Sequence, residues 1–317
     1  MIVGYIDPNF PDPNGPNDAE IVIYGYVPSV ALGSLGATLF FIAAVLHLWL
    51  VIKYKTWYFS TMVLGLVLEV VGYIFRILSS QKDPYSIVRN SDPQCQRAVE
   101  AMIYMGALLM GASQPFYVVQ YFTIVVAPVF FSAAIYTIIS VLIRAYGRQY
   151  AVLPPKVILA VFISFDVVGT AIQVAGAATV GVAYSQGKDP AVPSHVLLGG
   201  LSIQVASFAG FLVILGWTLV RARGSTVKIS KMFLTTTIVA SIAIFVRTCF
   251  RVAEGAEGLM SKLSVHEAYF GGLEFAPVVI AVFLLAYGHP GRYVQSSKVH
   301  DEKNSEHAGD SVGLSSA

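Results

Sequence analysis

The sequence predicts an all-α polytopic membrane protein with seven transmembrane helices, its N-terminus outside and its C-terminus in the cytoplasm. Three observations lead there. Hydrophobic residues make up 56% of the chain and charged residues only 12%, whereas a soluble domain carries about 25% charged residues. The apolar residues gather in runs of about 20, the length that crosses a hydrocarbon core about 30 Å thick. The alternation in segments of about ten residues that a membrane β-barrel requires is not visible.

Residues 1–25 form an extracellular tail rich in Pro, Asn and Asp. It has neither the basic start nor the apolar run of a cleavable signal peptide, so the first helix is expected to act as its own insertion signal. That helix is placed at about 27–52, opening on Pro28, where a missing N–H costs nothing in the first turn. The second spans about 57–80, with Trp57 and Tyr58 suited to the interfacial aromatic belt. The apolar region from Ala98 to Ile143 is too long for one crossing and too short for two, and it contains Pro115 and Pro128. We place the third helix at about 117–143 and read 98–114 as an interfacial or re-entrant piece. The remaining spans fall at about 156–183, 196–220, 232–254 and 268–288. Gly288-His289-Pro290-Gly291 reads as a helix stop, closing a transmembrane domain of residues 26–291. Residues 292–317 are Ser- and charge-rich and read as a disordered cytoplasmic tail.

Orientation follows from the basic residues of the short loops. Lys53, Lys55, Arg144, Arg148, Lys156, Arg221, Arg223, Lys228 and Lys231 lie on the side of the C-terminal tail, which adds Arg292, Lys298 and Lys303. Lys82, Arg89, Arg97, Lys188 and Lys262 lie opposite, so the richer side and the tail are assigned to the cytoplasm. The net charge is only +2 and basic blocks are absent, which argues against nucleic acid as a partner. Cys95 and Cys249 are too few for a disulfide framework and lack metal-ligand spacing, and Cys249 reads as a small residue in an apolar run.

Charged groups inside hydrocarbon are costly, so they normally face the bundle interior and pair or mark a ligand path. Glu69 and Arg76 lie two turns apart on the second helix, and Asp166 and Gln173 repeat that spacing on the fourth. Arg247, Arg251 and Glu254 share one face of the sixth, and Glu267 and Glu274 show the two-turn spacing in the seventh. With Gln120 and Gln204, which enter through the family resemblance given below, these give the candidate polar core or substrate site: Glu69, Arg76, Gln120, Asp166, Gln173, Gln204, Arg247, Arg251, Glu254 and Glu274. Complementary charges on the second and sixth helices lead us to expect that these two helices face each other, with Arg251 paired to Glu69 or Glu254.

His47 is the one histidine well inside a predicted span, and alone it does not supply the three or so ligands of a catalytic zinc; it reads as a hydrogen-bonded packing residue. Nucleophile-elbow, zinc-protease and Walker motifs are absent, so an enzyme, a metal and a cofactor are not expected. Glycines clustered at Gly33 and Gly36, Gly169 and Gly176, Gly199 and Gly200, and Gly271 and Gly272 suggest close helix packing.

Taken together, several segments resemble the fungal lipid-translocating exporter family of seven-helix proteins. They are YVPS at Tyr26 to Ser29, His47, EVVGYIFRILSS from Glu69, Gln120, Ala127-Pro128, AAIY ending at Tyr136, and DVVGTAIQVAG from Asp166. Gly200-Leu201 with Gln204, RTCFRVAE from Arg247, Gly258, Glu267, Glu274 with Pro277, and His289-Pro290-Gly291 continue it. The resemblance spans about residues 25–292. Two departures stand out. The family's Gly-Arg pair on the third helix is replaced by Ser140-Val141, and residues 89–114 read as an insertion.

The resemblance implies a plasma-membrane transporter or translocase of lipid-like amphipathic molecules, such as sphingoid long-chain bases and sterol-like toxins, linked to lipid stress and drug tolerance. Membrane lipids and an amphipathic small molecule are the implied partners. A seven-helix receptor or sensor of membrane lipid state is the competing reading, because architecture alone does not fix function.

Overall fold

A computed structural model describes residues 29–81, 115–185, 189, 191–225, 227, 229–258, 263 and 266–293. Among them, seven helical stretches are long and apolar enough to cross a bilayer. These are α1 (Val30–Tyr54), α2 (Ser60–Gln81, entered through a 3₁₀ turn at Trp57–Phe59), α3 (Pro115–Tyr146), α4 (Pro155–Ser185), α5 (Ala191–Arg221) and α6 (Lys231–Glu257). The seventh, α7, joins a short turn at Glu267–Tyr269, a π-helical segment at Phe270–Phe275 and a regular helix at Ala276–Tyr287. The first tail, the piece at 98–114, the insertion at 89–114, Cys95 and the last tail beyond Tyr293 lie outside the described residues.

Local chemistry sets the ends. The Ser29 side chain accepts a hydrogen bond from the Leu32 N–H and caps α1. α1 stops at Lys55, which takes a left-handed conformation (φ 53°) while its N–H and that of Thr56 bond back to the Ile52 and Val51 carbonyls. This Schellman closure lets a two-residue link lead into the next helix. α5 starts at Ala191, earlier than expected, because the Asp189 carboxylate accepts from the Ala191 N–H and Pro193 falls in the first turn, where its missing N–H is harmless. α3 runs unbroken through Pro128.

Helices adjacent in sequence pack side by side, and α7 returns to α1, so the seven close into a ring. α3 is the most enclosed span. Its buried Phe131, Ala134, Ile135, Tyr136, Ile138 and Ile139 form the centre of the apolar core, and it also touches α5 and α6. Backbone meets backbone between α4 and α5: a Cβ on Gly200 would lie 2.6 Å from the Gly169 carbonyl oxygen and 2.8 Å from the Gln173 nitrogen. Glycines let two membrane helices approach this closely. Gly199 and Gly272, by contrast, have open space where a Cβ would stand, so they have no such packing role.

Stripes of exposed apolar residues, such as Phe41, Val45, Trp49 and Ile52 on α1 and Val213, Trp217 and Val220 on α5, form the outer surface that lipid would cover. The Lys53 ammonium sits 4.4 Å above the Trp49 ring, and the Arg221 guanidinium 5.9 Å from that of Trp217. Basic and aromatic side chains thus mark one rim of the bundle, as they do at a membrane–water interface.

Candidate functional site

α3, α4, α5 and α6 border a narrow cleft. Val125, Pro128, Val129, Leu201 and Phe208 give it an apolar lining, and Ser132, Asp166, Gln173, Gln204, Arg247, Thr248 and Arg251 supply the polar groups. Five of the ten expected site residues therefore meet here: Asp166, Gln173, Gln204, Arg247 and Arg251. The two-turn spacing of Asp166 and Gln173 puts both on the inner face of α4. The Gly169–Gly200 contact brings α5 close enough for the Gln204 Nε2 to donate to Thr170 Oγ1 (2.6 Å) and to the Asp166 main-chain carbonyl (3.3 Å).

The other five do not line the cleft. Glu274 lies one contact behind its wall, because Arg247 pairs with it through Nη2, and Glu254 pairs with Arg251 on the same helix at 2.6 Å. Arg76 pairs with Glu267 (3.3 Å) and lies 4.1 Å from the Phe270 ring, while Glu267 also accepts from the Ser29 N–H at 2.8 Å. That contact ties the start of α1, the end of α2 and the start of α7 together. Gln120 is buried on α3, where its main-chain carbonyl accepts from the Thr123 hydroxyl. Glu69 is buried on α2.

All three intramembrane arginines thus have an acid within ion-pair distance, and among the described residues two intramembrane acids do not have a base: Asp166 and Glu69. Asp166 is 3% exposed and its Oδ2 accepts from the Tyr136 hydroxyl at 2.9 Å. Two turns along the same helix, the Gln173 Nε2 is buried without an acceptor among the described residues. The cleft therefore presents a carboxyl and an amide donor on one helix face.

The expected direct face between α2 and α6 is corrected. α2 packs chiefly on α1 and α3, and α6 on α5 and α7. The charges of both helices instead reach acids on α7, Arg76 to Glu267 and Arg247 to Glu274. Of the two partners expected for Arg251, Glu254 is the one it meets. The reason is that α7 closes the ring between α6 and α1 and carries its two acids inward, the inner one on the π-helical segment. There the Ala276 N–H reaches back five residues to the Gly271 carbonyl, just ahead of Pro277, which has no N–H to give.

Three participants fall outside the expected site set. Glu267 shares the spacing of Glu274 and so is within reach of the sequence, whereas Tyr136 sits in an apolar run with no periodic signal. Pro128 deprives the Ile124 carbonyl of its usual donor four residues on, and the Arg247 Nη2 donates to that oxygen at 3.2 Å. His47 is fully buried with its Nε2 at 2.9 Å from the Val282 carbonyl, which agrees with a packing role between α1 and α7. Cys249 is half-buried and makes no disulfide among the described residues.

The family model described as RTA1 like protein matches residues 95–297. The sphingoid long-chain base transporter RSB1 of Saccharomyces cerevisiae is 26% identical over 306 residues, which cover 84% of this chain and 73% of that protein. Protein RTA1 of the same yeast is 22% identical over 193 residues, 59% of each chain. No solved structure matches.

Proposed function

The chain belongs to the RTA1-like protein family, and on that premise we propose that it is a membrane transporter of lipid-like amphipathic cations, with sphingoid long-chain bases as the substrate class. The observation that carries this reading is Asp166, a carboxyl buried against the cleft with no base among the described residues within ion-pair distance. In a low-dielectric interior an uncompensated carboxylate is costly, and the ammonium of a long-chain base would offset that cost as it entered. The two arginines of the cleft do not repel such a cation strongly, because each is already neutralised by Glu274 or Glu254.

The substrate's hydroxyl oxygen would accept from the Gln173 Nε2, and the first part of its chain would lie against Val125, Val129, Leu201 and Phe208. The name of the yeast relative supports the same substrate class. We further infer that the N-terminus lies outside, on the strength of the basic and aromatic rim formed by Lys53, Trp49, Arg221 and Trp217, and that the membrane is the plasma membrane, where an exported long-chain base would leave the cell. Loss of the gene would then lower tolerance to long-chain bases and to membrane-active drugs. The test is reconstitution of the purified chain into liposomes with a labelled long-chain base. Protein-dependent flux supports the reading, and flux equal to that of empty liposomes would refute it.

A further inference from the structure

The cleft accounts for one of the two acids without a base; the other, Glu69, lies outside it. Glu69 is 2% exposed, and among the described residues it makes no hydrogen bond or ion pair. The charged groups within electrostatic reach of it are Arg247 on α6 and Glu274 on α7, with neither in hydrogen-bond contact. On its own helix, Tyr73 stands one turn away and Arg76 two turns away, the latter held by Glu267. Of the helices packed on α2, α1 contributes only His47 and Lys53, and α3 only Arg144, besides tyrosines, and all three lie toward the basic rim.

Arg247 is paired to Glu274 and has Glu69 within electrostatic reach, which leaves one negative charge in excess where an unbalanced charge is costly. Arg247 does not satisfy both acids. Its Nη2 is committed to Glu274 and to the Ile124 carbonyl, while its Nε and the Glu274 Oε2 have no partner among the described residues. A divalent ion would need about six oxygen ligands, and no group of three metal-ligating side chains gathers among the described residues. A proton needs one oxygen.

We infer that Glu69 is a proton-binding carboxyl that shares Arg247 with Glu274, and that its proton exchanges against the cationic substrate of the cleft. Arg247 is the physical link, since the side chain that pairs with Glu274 and acts on Glu69 through space also lines the cleft with Asp166. When Glu69 releases its proton, it becomes a second carboxylate competing with Glu274 for the guanidinium. Glu274 stands on a π-helical segment, a form of helix that often occurs at functional sites. A proton on Glu69 and an ammonium at Asp166 are both positive charges added to one weakly screened cluster. Each lowers the affinity for the other, and by the same factor. One proton moving in as one cation moves out leaves the charge of the cluster unchanged.

The proton site stands without the transport reading, whereas the exchange rests on it, and two measurements separate them. Infrared difference spectra of the purified full-length protein in detergent, recorded through a pH titration, should show a titrating carboxylic acid carbonyl band. The band should persist in Asp166→Asn, which removes the other unpaired acid, and be lost when Glu69→Gln is added to that variant, with unchanged gel-filtration elution showing that the variants are folded. An Asp166→Asn spectrum without such a band, or a band that survives the addition of Glu69→Gln, would overturn the proton site. In liposomes, an imposed proton gradient should accelerate long-chain-base flux by wild type and leave flux by Glu69→Gln unchanged. Wild-type flux indifferent to the gradient would overturn the exchange while transport stands, and absence of any flux would overturn transport and exchange together while the infrared band still decides the proton site.

Discussion

Arg247 donates to the main-chain carbonyl of Ile124 at 3.2 Å, the oxygen that Pro128 leaves without its helical donor. One side chain thus repairs a proline-interrupted helix, neutralises Glu274 and lines the cleft. Removing it strands a buried carboxylate and a buried carbonyl together, which typically costs about 3–5 kcal/mol for the ion pair alone. Arg247→Gln should therefore lower the thermal unfolding midpoint of the detergent-solubilised protein sharply. Adding Glu274→Gln should recover much of the loss, because the uncompensated charge goes with it. A double variant no more stable than the single one would show that Arg247 acts by another route.

Arg251 should be far more tolerant. Its partner Glu254 is three residues on along the same helix, and the two side chains are 15% and 22% exposed. Arg247 and Glu274 are more enclosed, at 5% and 3%, so losing one partner of the Arg251 pair strands the other less deeply. Arg251→Gln should leave abundance and thermal stability close to wild type and act, if at all, on substrate flux through the cleft wall. A collapse in abundance comparable to that of Arg247→Gln would contradict the ranking.

The contact of α4 with α5 leaves no room for a side chain at Gly200, since the obstructing atoms are backbone. Gly200→Ala should force the helices apart at a cost of about 1–3 kcal/mol, the usual range for overpacking. Gly199→Ala, one residue away with nothing near its Cβ position, should be close to neutral. Comparing the thermal midpoints of the pair checks the register of this interface.

Tyr136 donates to Asp166 while its ring packs 4.6 Å from that of Phe211. Tyr136→Phe keeps the ring and removes the donor, so stability should fall by only about 1–2 kcal/mol. Long-chain-base transport should change more, because the carboxyl loses the group that orients it. Unaltered concentration dependence of flux in this variant would remove Tyr136 from the site.

Much of the fold is legible in the sequence. Runs of about 20 apolar residues define spans almost by themselves, and the two-turn spacing of Asp166 and Gln173 is enough to put both on one face of α4. Pairing across helices is less legible. Arg76 and Arg247 have five acids to choose from, Glu69, Asp166, Glu254, Glu267 and Glu274, and only the closure of α7 against α1 and α6 selects Glu267 and Glu274. A one-dimensional pattern gives the face a residue occupies but not the neighbour opposite it. The role of Pro128 is hidden for the same reason: the proline is visible in sequence, but the arginine that serves the freed carbonyl is more than a hundred residues away.

The central claim is that the Asp166 carboxylate receives the substrate's cationic head, and flux of a labelled long-chain base into liposomes bearing equal amounts of wild type or Asp166→Asn tests it most directly. The substitution keeps the size of the side chain and an oxygen for the Tyr136 hydroxyl while removing the charge, so the variant should fold normally and lose most of its flux. Flux by Asp166→Asn equal to that of wild type would contradict the claim.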